Sequence, residues 1–204
     1  MGNTFLDKAY AARDADATRA LYDDWSTSYE AEVGKNGYAT PGRCAAALHS
    51  FMADPTLPIL DFGCGTGLSG LALKLAGFTT IDGLDLSQDM IEQAKAKSLY
   101  RNLSLVEADA DLSLKPGDYA AIAAIGVLGA GAAPISILDS LMKGLDSGGY
   151  LVMSLNDHSL ADPANEARIN EWIDCGAAHL LYRDYGDHLP GIDMKSNVYV
   201  IEKA

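Results

Sequence analysis

The segment Leu57-Pro58-Ile59-Leu60-Asp61-Phe62-Gly63-Cys64-Gly65-Thr66-Gly67 constrains this chain more than any other. A short apolar run ends in an acid and then in three glycines at alternate positions. Leu68-Ser69-Gly70-Leu71-Ala72-Leu73-Lys74-Leu75-Ala76 follows at once and reads as an amphipathic helix. Strand, glycine turn and helix start, in that order, form the arrangement that holds a nucleotide-like ligand at the edge of a parallel sheet. Glycine serves there because it adopts positive φ and has no Cβ to keep a ligand from the backbone.

The spacing separates two ligands. A dinucleotide turn reads G-x-G-x-x-G/A, with a third glycine for helix–strand approach. Here the sixth position is Leu68. Asp61 also places a carboxylate where a pyrophosphate would be repelled and an ammonium group favoured. A ligand joining adenosine to a zwitterionic amino acid therefore fits better than NAD. The next unit agrees. Phe78 to Leu86 reads as a second strand, and Ser87 as the N-cap of a helix whose Met90, Ile91 and Ala94 share one face. Asp85 lies eighteen residues past Gly67, at the tip of the neighbouring strand, where a carboxylate accepts two hydrogen bonds from a ribose diol. The plainer alternative is a solvated acid before a helix.

These residues resemble the class I S-adenosylmethionine-dependent methyltransferases. The resemblance runs over Leu60 to Gly67, Leu84 to Met90, Val106 to Ala110, Tyr119 to Gly129, and Leu145 to Leu151. A nearer resemblance is to small methyltransferase-like proteins related to the one from the Williams–Beuren region. It is carried by Tyr22-Asp23-Asp24-Trp25 with Tyr29, Ile81 to Leu86, Ser154 to His158, and Leu189-Pro190-Gly191. The family implies S-adenosylmethionine as cofactor.

The alternation of strand and helix predicts an α/β fold with a doubly wound, mostly parallel, Rossmann-like sheet. Strands are expected near Ile59, Ile81, Leu103 to Val106, Tyr119 to Ile125 and Tyr150 to Leu155, with a helix from Pro134 to Gly144. A helix near Asn165 to Cys175 precedes two late strands, near Ala178 to Tyr185 and Asn197 to Glu202, joined by a linker from Gly186 to Ser196. The resemblance makes these the antiparallel hairpin of a seven-stranded sheet. Ahead of the sheet, one helix is expected from about Asp16 to Glu30 and another between Pro41-Gly42 and Asp54-Pro55. The expected organisation is one methyltransferase domain over residues 1–204, with residues 1–55 a helical cap and 56–204 the cofactor-binding core.

Charge narrows the acceptor. Fifteen basic residues face 28 acidic ones, a net of −13, and no Lys/Arg cluster occurs. Nucleic-acid binding needs a basic face that displaces counterions, so neither nucleic acid nor an anionic membrane is an expected partner. A neutral or cationic small-molecule acceptor is, unless the acids serve only solubility, which charge by itself does not distinguish. No run is long enough to cross a bilayer, and Met1 to Leu6 forms neither a secretory signal nor a myristoylation motif. The expected location is the cytoplasm, and the expected assembly a monomer or homodimer. Cys44, Cys64 and Cys175 form no disulfide framework. Cys64 fits a tight turn by size, the Cys175/His179 spacing has no second pair, and no metal is expected.

Ligands of open parallel sheets lie beyond the carboxyl ends of the strands. That rule nominates Asp61, Gly63, Gly65 and Gly67 after the first strand, which by resemblance hold the methionine part. After the second come Asp85 for the ribose and Leu86 and Met90 against adenine, or simply in the core. After the third, Asp109, with the Ala110 amide nearby, is either an acceptor for the adenine amino group or a plain loop acid, and after the fourth the chain at Gly126 is expected to offer a close backbone carbonyl to the ammonium. Tyr22, Trp25 and Tyr29 share one helix face, either as core or as an aromatic lid over the sulfonium. The resemblance sets Tyr22 or Tyr29 near the methyl donor. Arg43 is either a partner of the cofactor carboxylate or a surface residue. His158, in Asn156-Asp157-His158 after the fifth strand, is either a general base toward the acceptor or part of a polar loop capping the next helix. The expected chemistry is direct in-line methyl transfer to N, O or S. The alternatives are a non-catalytic cofactor-binding or scaffold protein and, less favoured, an NAD-dependent oxidoreductase.

Overall fold

The structure, a computed structural model, describes residues 15–107, 112–129 and 132–204. Its helices are α1 (Ala15–Lys35), α2 (Thr40–His49), α3 (Leu68–Leu75), α4 (Gln88–Ala96), α5 (Ile137–Lys143), α6 (Asp157–Leu160) and α7 (Pro163–Asp174). The strands are β1 (Ile59–Phe62), β2 (Ile81–Asp85), β3 (Asn102–Leu105), β4 (Ala121–Ala124), β5 (Tyr150–Asn156), β6 (Ala178–Leu189) and β7 (Met194–Lys203). They form one seven-stranded sheet in the order β3-β2-β1-β4-β5-β7-β6. The first five strands pair in parallel, and β7 lies antiparallel to both β5 and β6. This is the doubly wound sheet that the alternation of strand and helix predicts, with the terminal hairpin that the resemblance implies.

Because side chains alternate across a strand, β1 divides its residues between two cores. Leu60 and Phe62 join Ile122, Leu151 and Met153 beneath α5 and α7. Ile59 joins Ile81, Ala123 and Val152 beneath α2 and α3. All four β1 residues are buried, as expected for a strand covered on both faces. The chain leaves β1 toward β2 and β3, then returns to β4 on the other side of β1. The reversal opens a crevice at the carboxyl ends of β1 and β4, and the glycine turn lies in it.

Two expectations shift. Helix α1 extends to Lys35, beyond Glu30, because the Asn36-Gly37 turn ends it: Gly37 has φ +74°. The linker expected from Gly186 to Ser196 is largely strand, with Gly186 opposite Ser196 and Asp187 opposite Lys195. The reversal needs only the 3₁₀ turn Pro190–Ile192 and Asp193 in the left-handed region at φ +53°. β6 is an edge strand with one ladder to satisfy, so its polar residues remain in register.

Gly83 is packed from three sides in the middle of β2. A Cβ there would lie 2.7 Å from Leu103 Cδ2, 2.9 Å from Cys64 Sγ and 3.1 Å from Tyr100 Cδ1. Gly83→Ala is expected to lower the unfolding free energy by about 1–3 kcal/mol through overpacking. Denaturant titration checks it, and an unchanged midpoint would contradict this packing.

Candidate cofactor site

A cavity of about 770 Å³ opens at the carboxyl ends of β1, β2 and β4. This volume lies within the roughly 300–1,000 Å³ typical of small-molecule sites. The turn after β1 forms its floor. Gly63 N–H and Cys64 N–H both donate to Leu84 O, at 2.8 and 3.0 Å, which fixes the turn to β2. Gly65 has φ +53°, and a Cβ on it would meet nothing within 4 Å. It is a backbone cradle open to a ligand. Gly63 serves packing instead: a Cβ there would lie 2.2 Å from Val127 Cγ2. Gly67 stands behind the wall as the left-handed N-cap of α3.

Asp85 lines the cavity beside this cradle. Its Oδ2 accepts from Gly65 N–H at 2.8 Å and its Oδ1 from Ser87 N–H at 2.9 Å. Each oxygen keeps further acceptor capacity, as a ribose diol requires. Burial pushes the Asp85 carboxyl up, the Ser87, Gly65 and Leu86 amides oppose that rise, and the charge of Asp23 adds to it. Leu86 and Met90 stand on the same wall.

Asp61 is placed differently from the expectation. It is fully buried behind the turn, not on the cavity wall, because it shares the face of Ile59. Its Oδ2 accepts from Ser69 Oγ at 2.6 Å and from Tyr100 OH at 2.7 Å, and its Oδ1 has no hydrogen-bond partner in the structure. Burial pushes its pKa up to about 6, against the two hydroxyl hydrogen bonds, with Asp85 adding to the rise.

The aromatic triplet divides. Trp25 is core, packed with Val33 and Leu189 and donating from Nε1 to Glu32 at 2.9 Å. Tyr22 and Tyr29 line the cavity. His158 also lines it, with Asp162 and Asn165, while Asn156 caps α6 by accepting from Ser159 N–H at 3.0 Å. Gly126, φ +69°, is on the wall at the end of β4. Asp109 and Ala110 lie outside the described residues. Arg43 takes neither expected place: it bonds Asp184 Oδ2 and Ser196 Oγ at 3.0 Å each, fastening α2 to the β6–β7 hairpin. Among the described residues no cluster of metal-ligating side chains occurs.

Sequence reasoning missed Tyr100 and Tyr38. Tyr100 OH accepts from Gly70 N–H at 3.2 Å, and a Cβ on Gly70 would lie 2.3 Å from that oxygen. The signal was present: a glycine inside a helical pattern marks close packing. Tyr38 lines the cavity from the short connection between α1 and α2, a place with no periodicity to reveal it.

The placement of Asp61 has a pH consequence. An acid whose folded pKa lies near 6, against about 3.9 unfolded, costs nothing below about pH 4. The cost of its charge develops between pH 4 and 6 and is complete above that. The ligand-free Asp61→Asn variant is expected to gain about 2–3 kcal/mol of stability relative to the native chain between pH 4 and 7. Denaturant titrations across that range check it, and a constant difference would contradict the buried ionisation.

Comparison with known proteins agrees with this geometry. Residues 59–149 match a family model described as a methyltransferase domain. Human methyltransferase-like protein 27 is 33% identical over 124 residues, covering 59% of this chain and 51% of that protein. The chain thus spans about half the length of this curated relative. A chain from the complex of the Haloferax volcanii Trm112 methyltransferase activator with a methyltransferase superposes with a TM-score of 0.68, at 16% identity, over 91% of this chain and 97% of that one. Magnesium protoporphyrin IX methyltransferase from Synechocystis PCC 6803, solved with bound S-adenosylmethionine, gives 0.63 at 15% identity, over 98% and 90%. At such identities these two likenesses speak for the fold. Sheet order, glycine turn and domain match converge: residues 59–149 match a methyltransferase domain, the sheet has the fold of S-adenosylmethionine-dependent methyltransferases, and the cofactor these likenesses support is S-adenosylmethionine.

Proposed function

We propose that this chain, as a single unit over residues 1–204, transfers the methyl group of S-adenosylmethionine to N, O or S of a neutral or cationic small molecule. The observation that carries the reading is the continuous cavity from Asp85 past the glycine turn to His158. Its described wall contains Asp85, Glu107 and Asp162 but no lysine or arginine. Such a wall favours a ligand with positive charge and disfavours an anionic acceptor.

Bound there, the cofactor supplies an electrophilic methyl group on a sulfonium. Asp85 would accept from the ribose hydroxyls, and Leu86 and Met90 would cover adenine, with Asp109 and Ala110 at its amino edge. The backbone at Gly63, Gly65 and Gly67 would carry the methionine part, with Asp61 acting from behind the turn through its negative charge. The carbonyl of Gly126 would accept from the ammonium. Tyr22 and Tyr29 would turn aromatic faces to the sulfonium, a contact worth about 0.5–2 kcal/mol according to desolvation. His158 would take the acceptor's proton. Positioning is the protein's main contribution, and alignment of two reactants can supply about 7–11 kcal/mol.

Asp85→Ala removes both ribose acceptors and is expected to weaken S-adenosylhomocysteine binding by roughly 10–100-fold in titration calorimetry. Unchanged affinity would remove Asp85 from the site. Incubation with methyl-labelled S-adenosylmethionine and fractionated cell metabolites tests the activity. Label in a neutral or cationic fraction is expected. Binding without transfer to any fraction would favour a cofactor-binding scaffold.

A further inference from the structure

Building on that reading, we propose that Tyr38 is a cofactor-binding residue whose hydroxyl donates to the carboxylate at the aminoacyl end of S-adenosylmethionine. The phenol reaches over the end of β4, and a Cβ built on Gly126 would lie 2.3 Å from its oxygen. Gly126 thus leaves the space into which the hydroxyl extends, and both residues are on the cavity wall.

A chain of polar groups, buried at His188, Thr40 and Ser196 and ending at the partly exposed Arg43, stands behind the ring. Tyr38 packs edge-on against His188, with centroids 5.2 Å apart. His188 Nδ1 lies 2.8 Å from Thr40 Oγ1, Thr40 Oγ1 lies 3.0 Å from Ser196 Oγ, and Arg43 donates to Ser196 Oγ at 3.0 Å. Burying so many polar groups is costly unless each is satisfied, and a satisfied network fixes one geometry. His188, Thr40, Ser196 and Arg43 are all absent from the cavity wall, so the network acts behind the site. Burial draws the His188 pKa down to about 4, which leaves a neutral ring behind Tyr38 near neutral pH.

The position along the sheet identifies what the hydroxyl meets. Asp85, Leu86 and Met90 stand at the β2 side of the cavity, and Gly126 at the β4 side, with β1 and its glycine turn between. Adenosine held at Asp85 directs the aminoacyl end across the turn toward Gly126. That end carries a carboxylate as well as an ammonium group. The described wall carries no lysine or arginine, so the donors it offers the carboxylate are its hydroxyls, His158 and backbone amides. A phenol O–H is such a donor, and a hydrogen bond to a charged acceptor is among the stronger ones.

Two ligands isolate this contact. S-adenosylhomocysteine carries the aminoacyl end, and methylthioadenosine keeps the adenosine and sulfur but lacks it. Calorimetric titration of the native chain and of Tyr38→Phe with each is the test. Tyr38→Phe is expected to weaken S-adenosylhomocysteine about tenfold or more and to leave methylthioadenosine within about twofold. Equal loss of both ligands, or full retention of S-adenosylhomocysteine, would overturn the assignment. A native chain that binds neither ligand would defeat the cofactor reading itself, together with this one.

Discussion

The Asp85 carboxylate joins two parts of the chain that the fold must hold in register. One oxygen accepts from the amide of Gly65 in the turn after β1, the other from the amide of Ser87 at the start of α4. A buried carboxyl acceptor fastens a glycine-rich turn that has little stiffness of its own. The turn in turn places Gly63 against Val127 after β4. Three strand ends are thereby fixed around one space. The same carboxylate has acceptor sites left over, so the group that organises the floor of the cavity can also receive a ligand.

The N-terminal helix is attached to this floor by polar contacts. Ser87 Oγ donates to Asp23, and Lys97 Nζ bridges Glu30 Oε1 at 2.5 Å and the carbonyl of Thr66 at 2.6 Å. Arg19 pairs with Glu107, also at 2.5 Å. Apolar anchorage is provided by Trp25 and Val33 against Leu189. The side chains on one face of α1 grip the loops after β1, β2 and β3, while Thr18, Tyr22 and Tyr29 border the cavity. An element fastened by a few polar contacts on one side and an apolar anchor on the other suits a cover over a ligand site.

The sheet was legible because alternating apolar runs and glycine punctuation are local signals. The place of Asp85 at the end of β2, beside the glycine turn, followed from strand and spacing alone. Asp61 was legible in type but not in direction: its parity with Ile59 turns it behind the turn, which only the burial of both sheet faces reveals. Tyr38 and Arg43 depend on contacts across about 150 residues of sequence, with His188 and Ser196, and no local pattern encodes those. The hairpin linker misled for another reason. Gly186-Asp187-His188 has loop composition, but an edge strand tolerates the exposed Asp187, and Thr40 satisfies the buried His188 from across the chain. Asp109 and Ala110 lie outside the described residues.

The central claim is that one cavity receives adenosine at Asp85 and an aminoacyl end at the glycine turn and Gly126. A crystal structure with S-adenosylhomocysteine tests it most directly. The account predicts ribose hydroxyls on the Asp85 oxygens, the aminoacyl chain along Gly65, and its carboxylate at Tyr38. Ligand density elsewhere, or the reverse orientation with adenine over Gly126, would contradict it.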